Sequence, residues 1–513
     1  MVAQQTLTLY VWVRILDPLP KIQVERLGYF LLLRFFLWYN IFIFMKGRAL
    51  MFKVTVNNTI ISAQRSERLS DVLRRGGLSV EHPCGGKGSC KKCLVTVNGE
   101  DVLACQYIIE SDISVSLPEQ GGISSFIGAE ETGRITDNIC YVLDLGTTTL
   151  VLAKVSLDEK KIISSLTRTN PQRTFGADVM SRIEYCRNNS VKELQSVVVS
   201  AVNDMLREMG DADGKKMFVA GNTTMLHILL GEDCSSMGVY PYTPSFLGKR
   251  IVPAEDIGLS YLNEVEALPS ISAFVGADIV AGLNYVPMPS AGKFNLLVDL
   301  GTNAEIVLFS QTSVLCTSAA AGPCFEGANI SCGMSAVSGA VCAYEKGEAT
   351  TVDNAPAKGI CGTGLVDVVA YIIYSGKIDV TGLMDCEQFR VAENVFVTQQ
   401  DIRQYQLAKS AVHAGIETML RIKGINYDDI EELYISGGFS TKLNIHNAAA
   451  TGLILKELED KTKAVNNSSL LGAVKFACEG SDLSFYSKKA AYIDLSTNPG
   501  FKKSFIEHMD FKC

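Results

Sequence analysis

Tyr141–Val155 reads YVLDLGTTTLVLAKV, and Leu296–Ser310 answers it with LLVDLGTNAEIVLFS. In each copy an apolar run ends in Asp, passes through Gly-Thr and resumes as a second apolar run, the pattern of two strands joined by a tight turn. Such a turn offers backbone N–H groups and Thr hydroxyls to a phosphate, and its Asp can hold Mg2+ through water. One copy alone would more readily be an ordinary hairpin. Two copies in register, with Asp144 and Asp299 separated by 155 positions, read as a duplicated nucleotide-binding fold, because that spacing is far longer than a solenoid repeat.

A third element lies downstream in ELYISGGFST, where strand residues Leu433–Ile435 run through Ser436, Gly437 and Gly438 into a helical stretch. Glycines between strand and helix permit close backbone approach to a nucleotide and present the helix N-terminus to its polar groups. Read alone, this is equally a plain strand-to-helix turn. Asn222, Thr223 and Thr224 follow the strand MFVA and start a predicted helix, which helix capping explains, with phosphate or partner contact as the alternative.

Upstream, HPCGGKGSCKKCLVTVNGEDVLACQ places Cys84, Cys90, Cys93 and Cys105 at C-x5-C-x2-C-x11-C spacing. Four soft thiolates suit an iron-sulfur cluster or zinc. A zinc ribbon normally shows two separated C-x2-C knuckles, whereas here three Cys surround a loop containing Gly85, Gly86 and Gly88. Such glycines let the backbone curl around an inorganic core and aim N–H groups at its sulfurs, which favours 2Fe-2S. The flanks predict a small sheet: FKVTV, a turn at Asn57-Asn58, a short helix with Leu69, Val72 and Leu73 on one face, LVTV turning at Asn98-Gly99, and Ile113–Leu117 closing it. Residues 118–137, rich in Gly, Ser and acidic residues, read as a flexible linker.

The chain has 513 residues and a net charge of -8, which argues against a general nucleic-acid binder. Its 15 Cys are an odd number and sparse for a secreted disulfide scaffold, so the reading is cytoplasmic. Residues 1–50 break this composition: they hold both tryptophans and a 19-residue apolar run from Leu27 to Met45. That length suits a membrane helix, although Arg34 and Asn40 inside it are costly. The alternatives are a mis-called start, with Met51 opening the true chain, and a processed or interfacial segment. The mis-called start is favoured because MFKVTV opens as a strand.

The set DLGTTT, DLGTNAE and ISGGFS resembles, in order, the phosphate-1, phosphate-2 and adenosine motifs of the acetate and sugar kinase, Hsc70 and actin (ASKHA) superfamily. With the cysteine module ahead, and with NPQRTFGADVMSRI (from Asn170), VAGNTTMLHILLG (from Val219), SAAAGPCFEGANISCGMSAVSGA (from Ser318), GICGTGLVD (from Gly359) and the closing NPGFKKSFIEHMDF, the chain is similar to the reductive activators of corrinoid-dependent methyltransferases. The cysteine module itself resembles the 2Fe-2S ferredoxins of the C-x5-C-x2-C class, although the gap before Cys105 is short for that class.

The resemblance implies an α/β chain: a 2Fe-2S ferredoxin-like β-grasp module (α+β) over residues 51–117, then a duplicated ribonuclease-H-like ASKHA fold with lobes at 138–290 and 291–513. It implies an ATPase that passes one electron from the cluster to the inactive Co(II) corrinoid of a partner protein, restoring Co(I). Cobalt reduction needs a very low potential, and each ~59 mV of mismatch costs about tenfold in a one-electron equilibrium, so ATP is the evident drive. Cys84, Cys90, Cys93 and Cys105 would ligate the cluster. Asp144, Gly146, Thr147 and Thr148 in one lobe, and Asp299, Gly301, Thr302 and Asn303 in the other, would bind phosphates and Mg2+. Asp299 is the better candidate for orienting water, and Gly437 and Gly438 would line the adenosine. The implied partners are a corrinoid protein or methyltransferase and an upstream electron donor, with no nucleic acid and no membrane unless residues 1–50 are real; homodimerisation is left open. A metabolite kinase carrying a redox-sensing cluster is the alternative. Cys324, Cys332 and Cys361 read as small buried residues, His227 and His413 as structural, and the five His show no metal spacing.

Overall fold

A computed structural model of the chain describes residues 51–56, 59–76, 78, 80, 86, 88, 93–117, 136–210, 212–438 and 440–511. The expectations placed on residues 1–50, Asn57-Asn58, Cys84 and Cys90 lie outside the described residues. Backbone contacts divide the chain into two compact units: the residues up to Leu78 with Leu94–Leu117, and Ser79–Cys93 with Pro118–Cys513.

The first unit is built on β1 (Met51–Val56), β2 (Thr59–Gln64), β3 (Leu94–Val97), β4 (Glu100–Leu103) and β5 (Ile113–Ser116), in the sheet order β2-β1-β5-β3-β4. The central β1 and β5 are parallel, and the outer pairings are antiparallel. Period-two patterning sends Val54, Val56, Val95, Val97, Ile113 and Val115 inward. They share the interior with Leu69, Val72 and Leu73 of helix α1 (Leu69–Arg75). The β3–β4 turn puts Asn98 at φ 51° and Gly99 at φ 92°, the left-handed pair that a two-residue hairpin requires.

The second unit contains two sheets that share a five-strand topology, each with a sixth strand at a different edge. In the first, β6 (Ile139–Leu145), β7 (Thr149–Ser156), β8 (Lys161–Thr169), β9 (Lys215–Gly221), β10 (Arg250–Pro253) and β11 (Leu262–Ala267) lie in the order β10-β11-β9-β6-β7-β8. In the second, β12 (Phe294–Leu300), β13 (Ala304–Phe309), β14 (Val314–Ala319), β15 (Ile430–Ser436), β16 (Thr462–Ala464) and β17 (Ala490–Tyr492) lie in the order β16-β15-β12-β13-β14-β17. Each sheet starts as an antiparallel three-strand meander and then adds strands parallel to its first: β9 beside β6, and β15 beside β12. This is the duplicated, mixed α/β architecture expected from the repeated motif.

Helices α2 (Val179–Asn188), α3 (Val191–Met209), α4 (Thr223–Leu230) and α5 (Ala277–Tyr285) belong to the first sheet's half, and α6 (Gly362–Tyr374), α7 (Gln399–Lys423), α8 (Ser468–Glu479) and α9 (Pro499–Glu507) to the second's. Along α3, Leu194, Val198, Val202 and Met205 are fully buried, the spacing that aligns side chains on one helix face. The halves meet where α8 crosses α5. A Cβ on Gly472 would lie 1.7 Å from the Ala281 carbonyl oxygen, so only glycine lets the two backbones touch. Buried Asn284 donates to Gly472 O at 3.0 Å, and Lys475 returns a bond to Asn284 O at 2.8 Å.

Of the expected linker, Thr136 and Asp137 are described, and both are tied to the first half: Thr136 Oγ1 meets Ser156 Oγ at 3.0 Å, and Lys215 donates to Asp137 O at 2.8 Å. Beyond Gly437-Gly438 the sequence expectation of a helix meets a difference. The chain first makes a 3-10 turn, Ser440–Lys442, with Ser440 Oγ turned back onto Gly437 O (2.9 Å) and Val465 O (2.7 Å), and the α-helix itself begins later, at Ile445–Ala450, capped by Asn444. Cys324 and Cys361 are buried as expected, whereas Cys332 is half-buried, its thiol facing Asn394 O. Among the described residues no helix is long and apolar enough to cross a membrane.

Candidate active site

The β6–β7 turn is held from behind by the motif that begins at Asn170. Fully buried Asn170 donates from Nδ2 to Gly146 O at 2.8 Å, and its backbone N–H reaches Thr148 O at 2.8 Å. Arg182 of α2, also fully buried, donates to Thr147 O (2.5 Å), Gly176 O (3.0 Å) and Gln172 Oε1 (3.1 Å). Burial pulls the Arg182 guanidinium down to about 9, so these neutral acceptors stand in for the water it has lost. Asn222 donates to Thr147 Oγ1 at 2.9 Å while its own oxygen caps α4 through Met225 N–H at 2.9 Å. Helix capping and support of the turn are thus one arrangement.

The β12–β13 turn is one residue shorter. Leu145 pairs with Leu150 across the first turn, Leu300 with Ala304 across the second. Correspondingly, Gly146 N–H bonds Thr149 O at 3.0 Å and Gly301 N–H bonds Asn303 O at 2.9 Å. Glu326 spans the two: its carboxylate accepts from Thr302 Oγ1 at 2.6 Å and from Thr148 Oγ1 at 3.4 Å. Thr148, Thr302 and Glu326, with Arg173, Tyr185 and Asn329, border a cavity of about 840 Å³. Gly437 leaves β15 at φ 114°, and a Cβ there would lie 2.3 Å from Leu300 O. The adjacent Gly438 is exposed, and a Cβ there would meet nothing within 4 Å. The second turn and the expected adenosine glycines are therefore neighbours.

Four carboxylates interact around these turns. Asp144 accepts from Asn467 Nδ2 at 2.7 Å on one oxygen and from Ser469 Oγ at 2.8 Å on the other, both at the start of α8. Burial raises its pKa, and those two bonds oppose the rise. Asp299 is pushed up to about 7, chiefly by burial and then by Asp144, with a Ser436 hydrogen bond opposing. Asp278, in the first turn of α5, is likewise pushed up to about 7 by burial, Asp299 and Asp144. Glu305 on β13 is raised well above the carboxylate range by burial, Asp278 and Asp299, and it accepts from Ser318 Oγ at 3.0 Å. Carboxylates that raise one another in this way lose the repulsion when a divalent cation approaches; no three of them bring oxygens within 4.8 Å of one another, so this hard-oxygen set suits Mg2+ held through water rather than directly.

Cys93 immediately precedes β3 in sequence and Cys105 follows β4; each is buried. Gly86 (φ 80°) and Gly88 (φ 77°) take the left-handed backbone that glycine permits. Soft, buried thiols are the donor chemistry that an iron-sulfur core takes.

The expected residues Asp144, Gly146, Thr147, Thr148, Asp299, Gly301, Thr302, Asn303, Gly437 and Gly438 lie on the two turns, the strands that lead into them and the loop after β15. Sequence reading missed Asn170, Arg182, Asp278, Glu305, Glu326 and Asn467. One signal existed for Asp278: Val275–Asp278 repeats Phe175–Asp178 as VGAD against FGAD, and each opens a helix. Glu326 lay within the motif from Ser318, which nothing in the sequence tied to either turn, and Asn467 carried no signal, since its partner is remote in sequence.

Three family models match successive stretches: the 2Fe-2S iron-sulfur cluster binding domain over residues 53–114, the RACo middle region over 139–291, and the C-terminal domain of RACo, the ASKHA domain, over 293–512. A corrinoid activation enzyme, RamQ of Eubacterium limosum, is 24% identical over 88% of this chain and 97% of its own. A [Co(II) methylated amine-specific corrinoid protein] reductase of Methanosarcina barkeri is 25% identical over 60% of this chain and 64% of its own. The solved structure of a reductive activator for corrinoid, iron-sulfur protein superposes with a TM-score of 0.67 at 25% identity, covering 90% of this chain and 98% of that one. With both RACo models and the cluster-binding model matched in order, the chain belongs to the family of reductive activators of corrinoid-dependent methyltransferases.

Proposed function

We propose that this chain is an ATP-hydrolysing iron-sulfur electron-transfer protein that delivers one electron to the Co(II) corrinoid of a methyltransferase or corrinoid protein, restoring Co(I). The observation that carries it is the union, in one chain, of a 2Fe-2S domain match with a carboxylate-lined double turn of ASKHA topology. The names of the relatives support the same partner class.

Cys84, Cys90, Cys93 and Cys105 would hold the 2Fe-2S cluster, which when bound supplies the single electron. Residues 51–117 would form the donor module, 118–137 a tether, and 138–290 and 291–513 the two ATPase lobes. Gly146 and Gly301, whose N–H groups close the two turns, and the hydroxyls of Thr147, Thr148 and Thr302, with Asn303, would cradle phosphates. Gly437 and Gly438 would admit the adenosine, because one packs against the second turn and the other leaves open space. Asp144 has both oxygens engaged by α8, which suits it to coupling the lobes. Asp299 is the freer carboxylate and would orient the attacking water, with Mg2+ neutralising the charge shared with Asp278. Hydrolysis needs positioning and charge neutralisation more than a strong base. ATP would act by changing relative affinity for partner states rather than by handling the electron. The reading includes a cytoplasmic location and an upstream electron donor.

The test is to reduce the anaerobically purified protein, add a Co(II) corrinoid protein with or without ATP, and follow the Co(I) spectrum. Co(I) appearing only with ATP is the expected result. No Co(I), together with rapid phosphorylation of a small alcohol or carboxylate, would transfer the chain to the kinases.

A further inference from the structure

A cluster of ligand-type side chains in the second unit shares no residue with either proposed site. His413 and Glu417 stand one turn apart on α7, so they share a helix face. His508, which caps α9, comes to the same face, and one ligand atom from each of the three lies within 4.8 Å of the others. His508 Nε2 is 3.1 Å from Glu417 Oε2, His413 Nε2 is 3.9 Å from Glu417 Oε1, and the two imidazole rings stack with centroids 3.7 Å apart.

The surroundings hold these groups in place. His413 Nδ1 faces Gly452 O at 3.3 Å; donation there leaves Nε2 with a free lone pair, the arrangement by which carbonyls orient metal-binding imidazoles. Glu417 accepts from Ser504 Oγ at 2.6 Å and Tyr427 OH at 3.3 Å. The tail carrying His508 is pinned along α7 by Ser410 Oγ to His508 O (2.7 Å), Gln406 Nε2 to Met509 O (2.6 Å) and Lys409 Nζ to Asp510 O (2.5 Å). His508 is therefore positioned by bonds that need no metal. The three side chains keep between 14% and 22% of their surface exposed, which leaves a ligand position open to water.

We propose that His413, Glu417 and His508 form a binding site for a borderline divalent transition metal, Zn2+ foremost, that clips the C-terminal tail to the long helix of the second lobe. Two imidazoles and a carboxylate are a zinc donor set, and the absence of thiolate separates this site from the cysteine module.

The full chain, reconstituted with its cluster and kept in excess Mg2+ to occupy the carboxylates of the cleft, would be given Zn2+ and desalted. Metal content and zinc-edge X-ray absorption are then read on wild type, H413Q and H508Q. The expected result is one Zn2+ per chain with nitrogen and oxygen neighbours at about 2.0 Å and no sulfur. Either substitution should weaken binding at least ~10-fold, and Zn2+ should raise the melting temperature of wild type but not of H508Q. A sulfur shell, no zinc retained by wild type, or equal retention in both variants would overturn the site. Should H413Q fail to fold, the wild-type spectrum and H508Q, near the chain end, still decide.

Discussion

Gly437 and Gly438 are adjacent glycines with opposite physics. At Gly437 a side chain meets both a positive φ and the Leu300 carbonyl, so Gly437→Ala should cost about 1–3 kcal/mol of stability, read by urea denaturation. Gly438→Ala meets open space and should stay within ~0.5 kcal/mol, yet lower the affinity for a non-hydrolysable ATP analogue about tenfold in calorimetry. Unchanged affinity would remove Gly438 from the nucleotide site. His227 is a different case: fully buried, it offers Nδ1 to Thr223 O at 2.7 Å and accepts Ser245 N–H at Nε2 at 3.1 Å, stacked on Phe246. Burial lowers its pKa, so as pH falls below about 6.5 the unfolded chain takes a proton that the native one refuses. Stability should decline there by up to ~1.4 kcal/mol per pH unit until the native pKa is reached. H227Q should flatten that slope in denaturation curves measured from pH 7.5 to 5; an unchanged slope would assign the acid sensitivity elsewhere.

The two nucleotide-type turns depend on elements that arrive later in the chain. Asn170 and α2 brace the first turn, α8 takes the Asp144 carboxylate, and Glu326 joins Thr148 to Thr302. The α5–α8 crossing has no spare volume at Gly472. Gly472→Ala should therefore force the helices apart, costing about 1–3 kcal/mol or more, visible as a lower melting temperature. Because α8 also carries Asn467 and Ser469, the same variant should weaken nucleotide binding without touching the nucleotide. Retained stability would mean that the crossing tolerates a shift its backbone contact argues against.

For the molecule as a whole, the cluster module and the ATPase lobes should fail separately. Cys93→Ser should remove the visible iron-sulfur absorption and at least 95% of Co(I) formation, judged against roughly unchanged ATP-analogue affinity. Asp299→Asn should do the reverse, leaving the cluster spectrum intact while ATP turnover falls about 100-fold or more. If both substitutions eliminated both properties in folded protein, the modular assignment would be wrong.

The repeated Asp-Leu-Gly-Thr turns, the paired sheets they open and the 2Fe-2S domain were readable along the chain because each is local: an apolar strand, a tight turn and a short ligand spacing are encoded by consecutive residues. Asp278 was half visible, through VGAD echoing FGAD. Glu326, Arg182 and Asn467 were not, since a carboxylate bridging turns at 148 and 302, a buried guanidinium behind Thr147 and a cap facing Asp144 acquire meaning only when distant strands are brought together. The same holds for His413 and His508: nearly a hundred residues apart, they show no ligand spacing, and it is the docking of α9 and the final tail along α7 that stacks their rings beside Glu417. Local pattern encodes elements and their turns, whereas long-range packing chooses which side chains share a site, because contacts between remote residues leave no period in the sequence.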